Sequence, residues 1–424
     1  DTFTGFESLQ GSTGATDILT ASTAYNLDVS GALTGTASIG GALAASFSGI
    51  EQFTGSAGSD TLTGNALTAA SLTAAGGGTL TAGGSTMNFS AFENVTLHGV
   101  SGTLSVTNGS VALSSTIAAG TATVGGQAVT YDGMTALSGV GTADSLTTGG
   151  AGSASYTLSA AKNGSVAGGT YSGSFTGFES LVGATSADTL TASVNFTAAL
   201  TSAGTGTASI GGVGTSFSNM ESLVGIAGTD TLNVAALSVN LTSAGGGQVA
   251  GATGFSSFES LSGTGSLTAT SLTSASMTGV GTGTLVNGTN TSISGFANVT
   301  LTGAANTNDS LSVTGLSVSL ATAGSKVNNS TVISGFGVLT SLGTDTLTAT
   351  DVTAASLSSL TNGTLTVSGI ANGFTYTNFD AMTLTGSAAT NDSLSVSGLS
   401  VSLATGGSKI NNSRVIRGLE VVTS

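Results

Sequence analysis

The stretch Phe178-Glu179-Ser180-Leu181-Val182-Gly183, followed by Asp188-Thr189-Leu190-Thr191, sets the spacing of the whole chain. Successive variants of this frame begin 38 to 44 residues apart. They begin at eleven anchor residues: Phe6, Ile50, Phe92, Met134, Phe178, Met220, Phe258, Phe296, Phe336, Phe379 and Leu419. A repeat of this length, about 41 residues, falls in the range of solenoids, propellers and arrays.

The segments between anchors have the pattern of short β-strands. Apolar residues alternate with Ser or Thr, as in Leu316-Ser317-Val318-Ser319-Leu320, which is typical of a half-buried strand. The chain contains no Pro, so no residue lacks a backbone donor for a strand ladder. We therefore predict an all-β parallel β-helix (β-solenoid) with about two coils of about 20 residues in each repeat of about 41.

The predicted solenoid is a single continuous domain of about ten repeats over residues 1–424. Each strand would pair with its equivalent one coil away, and the anchors would stack inside. The alternative is a β-propeller, whose blades have a similar length. Ten blades exceed the number in common closed rings, and aromatic residues make up only 5% of the chain, which favours the solenoid.

Composition excludes several classes of function. The chain has 20 acidic and 5 basic residues, a net charge of −15, and no basic cluster that could neutralise the phosphates of a nucleic acid. No apolar run reaches the length of a membrane-spanning helix, so membrane insertion is not expected. Without cysteine there is no disulfide framework. The N-terminus has neither an initiator Met nor a signal peptide, which indicates a processed chain or a segment of a longer one.

The repeat frame also resembles a known group of proteins. Two examples are Ile50–Gly64 and Phe178–Thr191. In both, the anchor and a Glu are followed by Phe or Leu, then by Gly, and then by Asp-Thr-Leu-Thr. This order resembles the β-strand repeats of giant secreted bacterial surface proteins, including filamentous-haemagglutinin-like adhesins. The resemblance covers essentially the whole chain. It implies a right-handed parallel β-helix, export to the cell surface, and a structural or adhesive role without catalytic residues.

An Asp recurs in most repeats, and its neighbours are similar to a calcium-binding motif. Gly58-Ser59-Asp60-Thr61-Leu62 resembles the nonapeptide that binds calcium in parallel β-helices, but that motif binds calcium through consecutive copies. We interpret the recurring Asp as a turn former. Weak calcium candidates are Asp60, Asp188 and Asp230; no other cofactor is predicted. The full series is Asp17, Asp60, Asp144, Asp188, Asp230, Asp309, Asp345 and Asp392.

The remaining ionisable residues do not predict an active site. His98 is the only histidine, so we interpret it as a surface side chain and not as part of a transition-metal site. Lys326 and Lys409 are copies, because Asn308–Ile333 and Asn391–Ile416 match almost residue for residue at an offset of 83. The frame glutamates are predicted to form a solvated charge ladder, with weak cation binding as the alternative: Glu7, Glu51, Glu93, Glu179, Glu221 and Glu259.

These observations predict a non-enzymatic extracellular or cell-surface protein that forms a fibre, sheath or adhesin stalk. Its expected partners are copies of itself, joined end to end or side by side, with cell-surface glycans or other cells as further candidates. The alternatives are a calcium-dependent adhesive module, a β-helix carbohydrate-active enzyme, and an ice-binding solenoid. The last is based on Thr-x-Thr triplets such as Thr61-Leu62-Thr63, which recur once per repeat or less.

Overall fold

The computed structural model describes residues 7–12, 14–40, 44–114, 118–149, 152–168, 171–184, 187–304, 308–370, 373–387, 391–404, 408–419 and 421–423. Every regular element in these residues is a β-strand, and none is a helix able to cross a membrane. Coils stack in parallel, which confirms the predicted all-β parallel β-solenoid. The chain divides into two compact units, and a single continuous solenoid over residues 1–424 stays a prediction.

The first unit contains Asp1–Phe196 and Ala203–Val224. Its strands are β1 (Ser8–Gln10), β2 (Ile18–Thr20), β3 (Tyr25–Gly31), β4 (Thr34–Ile39), β5 (Ala45–Ser48), β6 (Gln52–Thr54), β7 (Thr61–Ala74), β8 (Gly77–Ala82), β9 (Ser85–Ser90), β10 (Asn94–Thr107), β11 (Ser110–Leu113), β12 (Gly120–Val124), β13 (Gln127–Val140), β14 (Ser145–Thr148), β15 (Ser155–Ala160), β16 (Asn163–Gly168), β17 (Tyr171–Thr176), β18 (Ser180–Val182), β19 (Thr189–Ala192), β21 (Thr205–Ile210), β22 (Val213–Ser218) and β23 (Ser222–Val224).

The second unit contains Thr197–Ser202 and Gly225–Ser424. Its strands are β20 (Thr197–Ser202), β24 (Thr231–Val234), β25 (Val239–Ser243), β26 (Gly246–Val249), β27 (Thr253–Ser256), β28 (Ser260–Gly263), β29 (Ser266–Leu272), β30 (Ser274–Gly279), β31 (Thr282–Asn287), β32 (Thr289–Ser294), β33 (Asn298–Gly303), β34 (Ser310–Val313), β35 (Ser317–Leu320), β36 (Ser325–Val327), β37 (Thr331–Ser334), β38 (Val338–Ser341), β39 (Thr346–Leu357), β40 (Gly363–Val367), β41 (Phe374–Thr377), β42 (Ala381–Gly386), β43 (Ser393–Val396), β44 (Val401–Ser402), β45 (Ser408–Ile410), β46 (Arg414–Arg417) and β47 (Val421–Thr423).

Each unit is built from two ladders of paired strands, which we call sheets I and II in the first unit and sheets III and IV in the second. Sheet I has the order β1-β5-β4-β3-β7-β10-β13-β12-β11-β14-β18-β22-β21. Sheet II has the order β2-β6-β9-β8-β7-β10-β13-β17-β16-β15-β19-β23. The long strands β7, β10 and β13 appear in both sheets because each continues around a corner.

The second unit repeats this plan. Sheet III has the order β20-β24-β28-β32-β31-β30-β34-β38-β41-β40-β39-β43-β47. Sheet IV has the order β27-β26-β25-β29-β33-β37-β36-β35-β39-β42-β46-β45-β44. Strand β39 contributes its first half to sheet IV and its second half to sheet III.

One repeat supplies two single strands and a three-stranded antiparallel meander. In the repeat that begins at Phe296, β33 lies in sheet IV, β34 in sheet III, and the meander β35-β36-β37 in sheet IV. Along one repeat the chain therefore enters a sheet three times, first with β33, then with β34 and then with the meander. Because three is odd, the next repeat begins on the opposite sheet, and two repeats are needed to return to the first one. This explains why the duplicated segments are 83 residues apart.

The coils are longer than the sequence predicted. Leu190 in β19 pairs in parallel with Leu223 in β23, 33 residues further on, rather than with a residue about 20 away. The reason is that each repeat places three of its strands side by side in one sheet. Parallel partners are also not equivalent positions of the frame: the Asp-Thr-Leu strand of one repeat pairs with the Glu-Ser-Leu strand of the next.

The core lies between the two sheets of each unit. Inward side chains alternate with outward Ser and Thr along the strands, and aromatic rings from opposite sheets meet, as Phe47 of sheet I and Phe53 of sheet II do at 5.2 Å between ring centres. Leu419 is half-buried, and Phe6 lies outside the described residues. The other anchors are buried: Ile50, Phe92, Met134, Phe178, Met220, Phe258, Phe296, Phe336 and Phe379.

Candidate functional site: the aspartate corner

Each described anchor follows a backbone position in the left-handed region. Gly177, before Phe178, has a φ of 75°, and Asn219, before Met220, has a φ of 55°. Gly and Asn adopt this conformation at low cost, so these residues turn the chain from one sheet to the other. The frame glycine Gly183 packs against this turn, since a Cβ on it would lie 2.1 Å from the carbonyl oxygen of Asn219. The anchor spacing predicted a corner. In the structure this corner consists of a residue with a left-handed backbone conformation and a glycine that packs against it.

The recurring Asp side chain lies inside this corner and bonds to backbone on two coils. Asp188 is fully buried. Its Oδ1 accepts the N–H of Ala154 from the preceding coil at 2.6 Å, and its Oδ2 accepts the N–H of Ala184 from its own turn. Its backbone N–H donates to Oε2 of Glu221 in the following coil at 2.7 Å. One Asp thus connects three successive coils.

The same bond between an Asp N–H and an acidic side chain of the next repeat recurs along the chain. The Glu therefore accepts a backbone donor that the corner would otherwise leave without a partner, a loss that is costly for a buried group. The donor and acceptor residues, with their distances, are Asp17 and Glu51 (2.8 Å), Asp60 and Glu93 (2.8 Å), Asp144 and Glu179 (2.7 Å), Asp230 and Glu259 (2.8 Å), and Asp345 and Asp380 (3.3 Å).

Where a repeat lacks this Asp, the next repeat also lacks the Glu that would accept its N–H. The repeats that begin at Phe92 and Phe258 have no Asp at the corner position, and the repeats after them have Thr135 and Ala297 in place of the frame Glu. The exception is Asp309, because the next repeat has a glycine after its anchor. Sequence reasoning missed this pairing, although the joint absence of Asp and of the following Glu was a readable signal.

The corner shifts the pKa of its carboxyl groups in two directions. Burial raises the pKa of Asp188 and of Asp144, and the hydrogen bonds from backbone N–H groups only partly oppose this effect. Burial acts in the same direction on Glu179, but the N–H of Asp144 and the ammonium of Lys162, at 3.0 Å, outweigh it and lower the pKa of Glu179. The two aspartates differ in their hydrogen bonds: Oδ2 of Asp188 accepts the N–H of Ala184, whereas Oδ2 of Asp144 has no hydrogen-bond partner among the described residues.

The calcium candidates occupy three of these corners. Oδ1 of Asp60 accepts the N–H of Tyr25 at 2.8 Å, while its other oxygen accepts donors from Ser56. Asp230 likewise accepts the N–H of Ile226 at 2.6 Å. Among the residues that the structure describes, no three acidic or His side chains are grouped as a metal site. Calcium binding stays an untested hypothesis at these positions.

The other singled-out residues lie on the outside. His98 is partly exposed, and its Nδ1 lies 2.8 Å from Oδ2 of Asp132 in the neighbouring strand. Lys326 and Lys409 are exposed on sheet IV, and the described residues place no carboxylate within 4.0 Å of either ammonium.

Outward hydroxyl groups form longer rows than the sequence predicted. In sheet I, Thr63, Thr96, Thr130 and Thr121 occupy consecutive strands in register. The Oγ1 atoms of Thr96 and Thr130 are 3.2 Å apart. Triplets that recur once per repeat still give this row, because the frame strands β7 and β10 are followed by the meander strands β13 and β12, which also carry outward Thr.

Comparison with known proteins adds no identity to these observations. No protein-family model, no curated protein and no solved structure matches this chain.

Proposed function

We propose that this protein is a non-enzymatic extracellular structural protein that forms a fibre, sheath or adhesin stalk by self-association. The observation that carries the proposal is the structural role of the recurring polar residues. Asp188 and Glu221, like their equivalents, bond to the backbone between coils, so their recurrence has a structural cause. Proteins built from stacked repeats present long regular surfaces suited to such roles.

The resemblance of the frame to filamentous-haemagglutinin-like adhesins supports the same proposal and adds a location at the cell surface. The low charge density of the chain supports self-association: only 6% of its residues are charged, which leaves little electrostatic repulsion per unit length between copies. Copies of the chain are the proposed partners, with cell-surface glycans as a second class.

The proposal is tested by electron microscopy and analytical sedimentation of the purified chain over a range of concentrations. We expect filaments or laterally joined assemblies that grow with concentration. A chain that sediments as a dispersed monomer at all concentrations would contradict self-association. Turnover of a polysaccharide would contradict the non-enzymatic role and favour the alternative of a β-helix carbohydrate-active enzyme.

The row of Thr63, Thr96, Thr130 and Thr121 favours one second candidate, an ice-binding solenoid. Regular threonine rows on a flat sheet are the feature on which that function depends. Thermal hysteresis of the purified chain would support it, and a Thr96→Lys variant should then lose the effect. Absence of thermal hysteresis at high protein concentration would remove this candidate.

A further inference from the structure

Lys326 and Lys409 lie on one straight row of outward residues in sheet IV. Successive members of the row are paired across adjacent strands, so their side chains share one line. The row runs Val332, Lys326, Ser319, Thr348, Thr383, Val415 and Lys409. Five strand steps separate the two lysines, which at about 4.8 Å per step is about 24 Å.

The position of the two lysines follows from the repeat. A single repeat ends on the opposite sheet, whereas two repeats return the chain to the same sheet five strands further on. The 83-residue offset between Lys326 and Lys409 is such a double repeat. A duplicated residue therefore recurs in the same row, and a surface charge becomes periodic along the sheet.

The surroundings of this row are unusual for a chain with a net charge of −15. Both lysines are exposed, the residues between them are Ser, Thr and one Val, and the row contains no carboxylate. Arg417, also exposed, lies two residues from Val415 on the same strand and adds a third positive charge. These ammonium and guanidinium groups are not neutralised within the described residues of the chain.

A complementary pair of charges has nearly the same spacing in the first unit. Glu7 and Glu93 each follow an anchor directly and stand at the same end of their strands in sheet I. Ser8 in β1 and Thr96 in β10 belong to one row of paired residues that crosses β5, β4, β3 and β7. Five strand steps separate these two residues, which is again about 24 Å. Glu93 is offset by two residues along its strand, which lengthens the separation of the two glutamates only to about 25 Å. Both glutamates are exposed, and Glu93 uses only Oε2 in the bond to Asp60.

We propose that the lysine row of one copy binds the edge of a second copy that carries Glu7 and Glu93. The proposal rests on the proposed self-association and specifies the contact that joins copies side by side. Two cations and two carboxylates at matching spacings of about 24–25 Å can pair simultaneously, and linked contacts reinforce one another. Exposed ion pairs of this kind are weak singly and sensitive to salt, so the association is lateral, multivalent and screened at high ionic strength.

The test compares sedimentation of the wild-type chain at low and high salt with that of K326Q/K409Q. We expect association about tenfold weaker in the variant at low salt, as for the loss of two exposed ion pairs. The matched control is T364E/S395E, which lowers the net charge by the same amount at exposed positions of sheet III. This control should associate nearly as the wild type does.

A charge exchange identifies the second surface. K326E/K409E alone and E7K/E93K alone should each fail to associate, and an equimolar mixture of the two should associate. Because E93K also removes the acceptor of the Asp60 N–H, E7Q/E93Q is the second variant: it keeps an amide oxygen at that place and should weaken association as K326Q/K409Q does. Failure of the mixture, or unchanged association of K326Q/K409Q, overturns the proposed contact while self-association stands. If the wild type itself does not associate, the proposed function fails. If K326Q/K409Q instead loses only retention on the polyuronate alginate, the row binds an anionic glycan and the contact between copies is wrong.

Discussion

The backbone N–H of Asp188 donates a hydrogen bond of 2.7 Å to Oε2 of Glu221, 33 residues further along the chain. This bond joins the turn of one repeat to the corner of the next. It makes the Asp of one repeat and the Glu of the following repeat a single structural unit. The joint absence of both residues around Phe92 and Phe258 has the same cause.

Glu221→Ala should lower the free energy of unfolding by about 0.5–1.5 kcal/mol, because the N–H of Asp188 loses its acceptor. Glu221→Gln keeps an amide oxygen at the same place and should lose less. Thr135→Ala is the matched control, since the preceding repeat has no Asp that needs an acceptor. Urea denaturation measures all three, and equal losses for Glu221→Ala and Thr135→Ala would contradict the pairing.

Asp188→Asn and Asp144→Asn should differ although the substitution is the same. Both oxygens of Asp188 accept N–H donors, so the NH₂ group of the substituted amide would face a backbone N–H at a cost of about 1–3 kcal/mol. Asp144 uses only Oδ1, which accepts the N–H of Gly109 at 2.6 Å, and its Oδ2 has no partner in the part of the chain that the structure describes. We expect Asp144→Asn to be neutral or stabilising in thermal unfolding. A larger loss for Asp144→Asn than for Asp188→Asn would show that the corner bonds are misassigned.

Glu179 should make stability depend on pH. Its folded pKa lies below the ordinary value of 4.5, so its contribution is complete above that value and is lost as the pH falls through the folded pKa. Asp144 has the opposite effect on stability. Burial raises its folded pKa, so its ionised form is destabilising, and stability is regained as the pH falls through that pKa. The difference in unfolding free energy between wild type and Glu179→Gln should therefore be larger at pH 7 than at pH 3. A difference that does not change with pH would refute the assignment.

Phe178→Ala should destabilise the fold by about 3–5 kcal/mol, because it removes a fully buried ring and leaves a cavity. Phe178→Asp should be more severe, since it buries an unpaired charge. Val213→Ala is the control: Val213 is a strand residue that is 49% exposed, and its loss should have little effect. Chemical denaturation measures the three variants, and a small effect of Phe178→Ala would be incompatible with its place in the core.

Calcium should change the melting temperature little. The carboxylate oxygens of Asp60 and Asp230 already accept N–H donors, so a cation would have to displace these bonds. Calorimetry in calcium and in chelator makes the comparison, with magnesium as the control ion. A large rise in melting temperature that is specific to calcium would favour the calcium-dependent adhesive module over the proposed structural role.

The sequence by itself determined the fold class and the periodic core. Alternation of apolar and hydroxyl residues specifies half-buried strands, and evenly spaced anchors such as Phe178 and Phe258 specify what stacks inside, because both patterns are local properties of the chain. Turn chemistry at the recurring Asp was also readable for that reason.

Only the tertiary structure decided which strands are neighbours. Coil length depends on how many strands of a repeat lie side by side in one sheet, and a meander such as β35-β36-β37 adds strands without adding a turn of the solenoid. The offset of parallel partners then decides that Asp188 meets Glu221, and that Lys326 shares a row with Lys409. The first pair lies 33 positions apart in the sequence and the second 83, and no local pattern of side chains specifies a register over such distances.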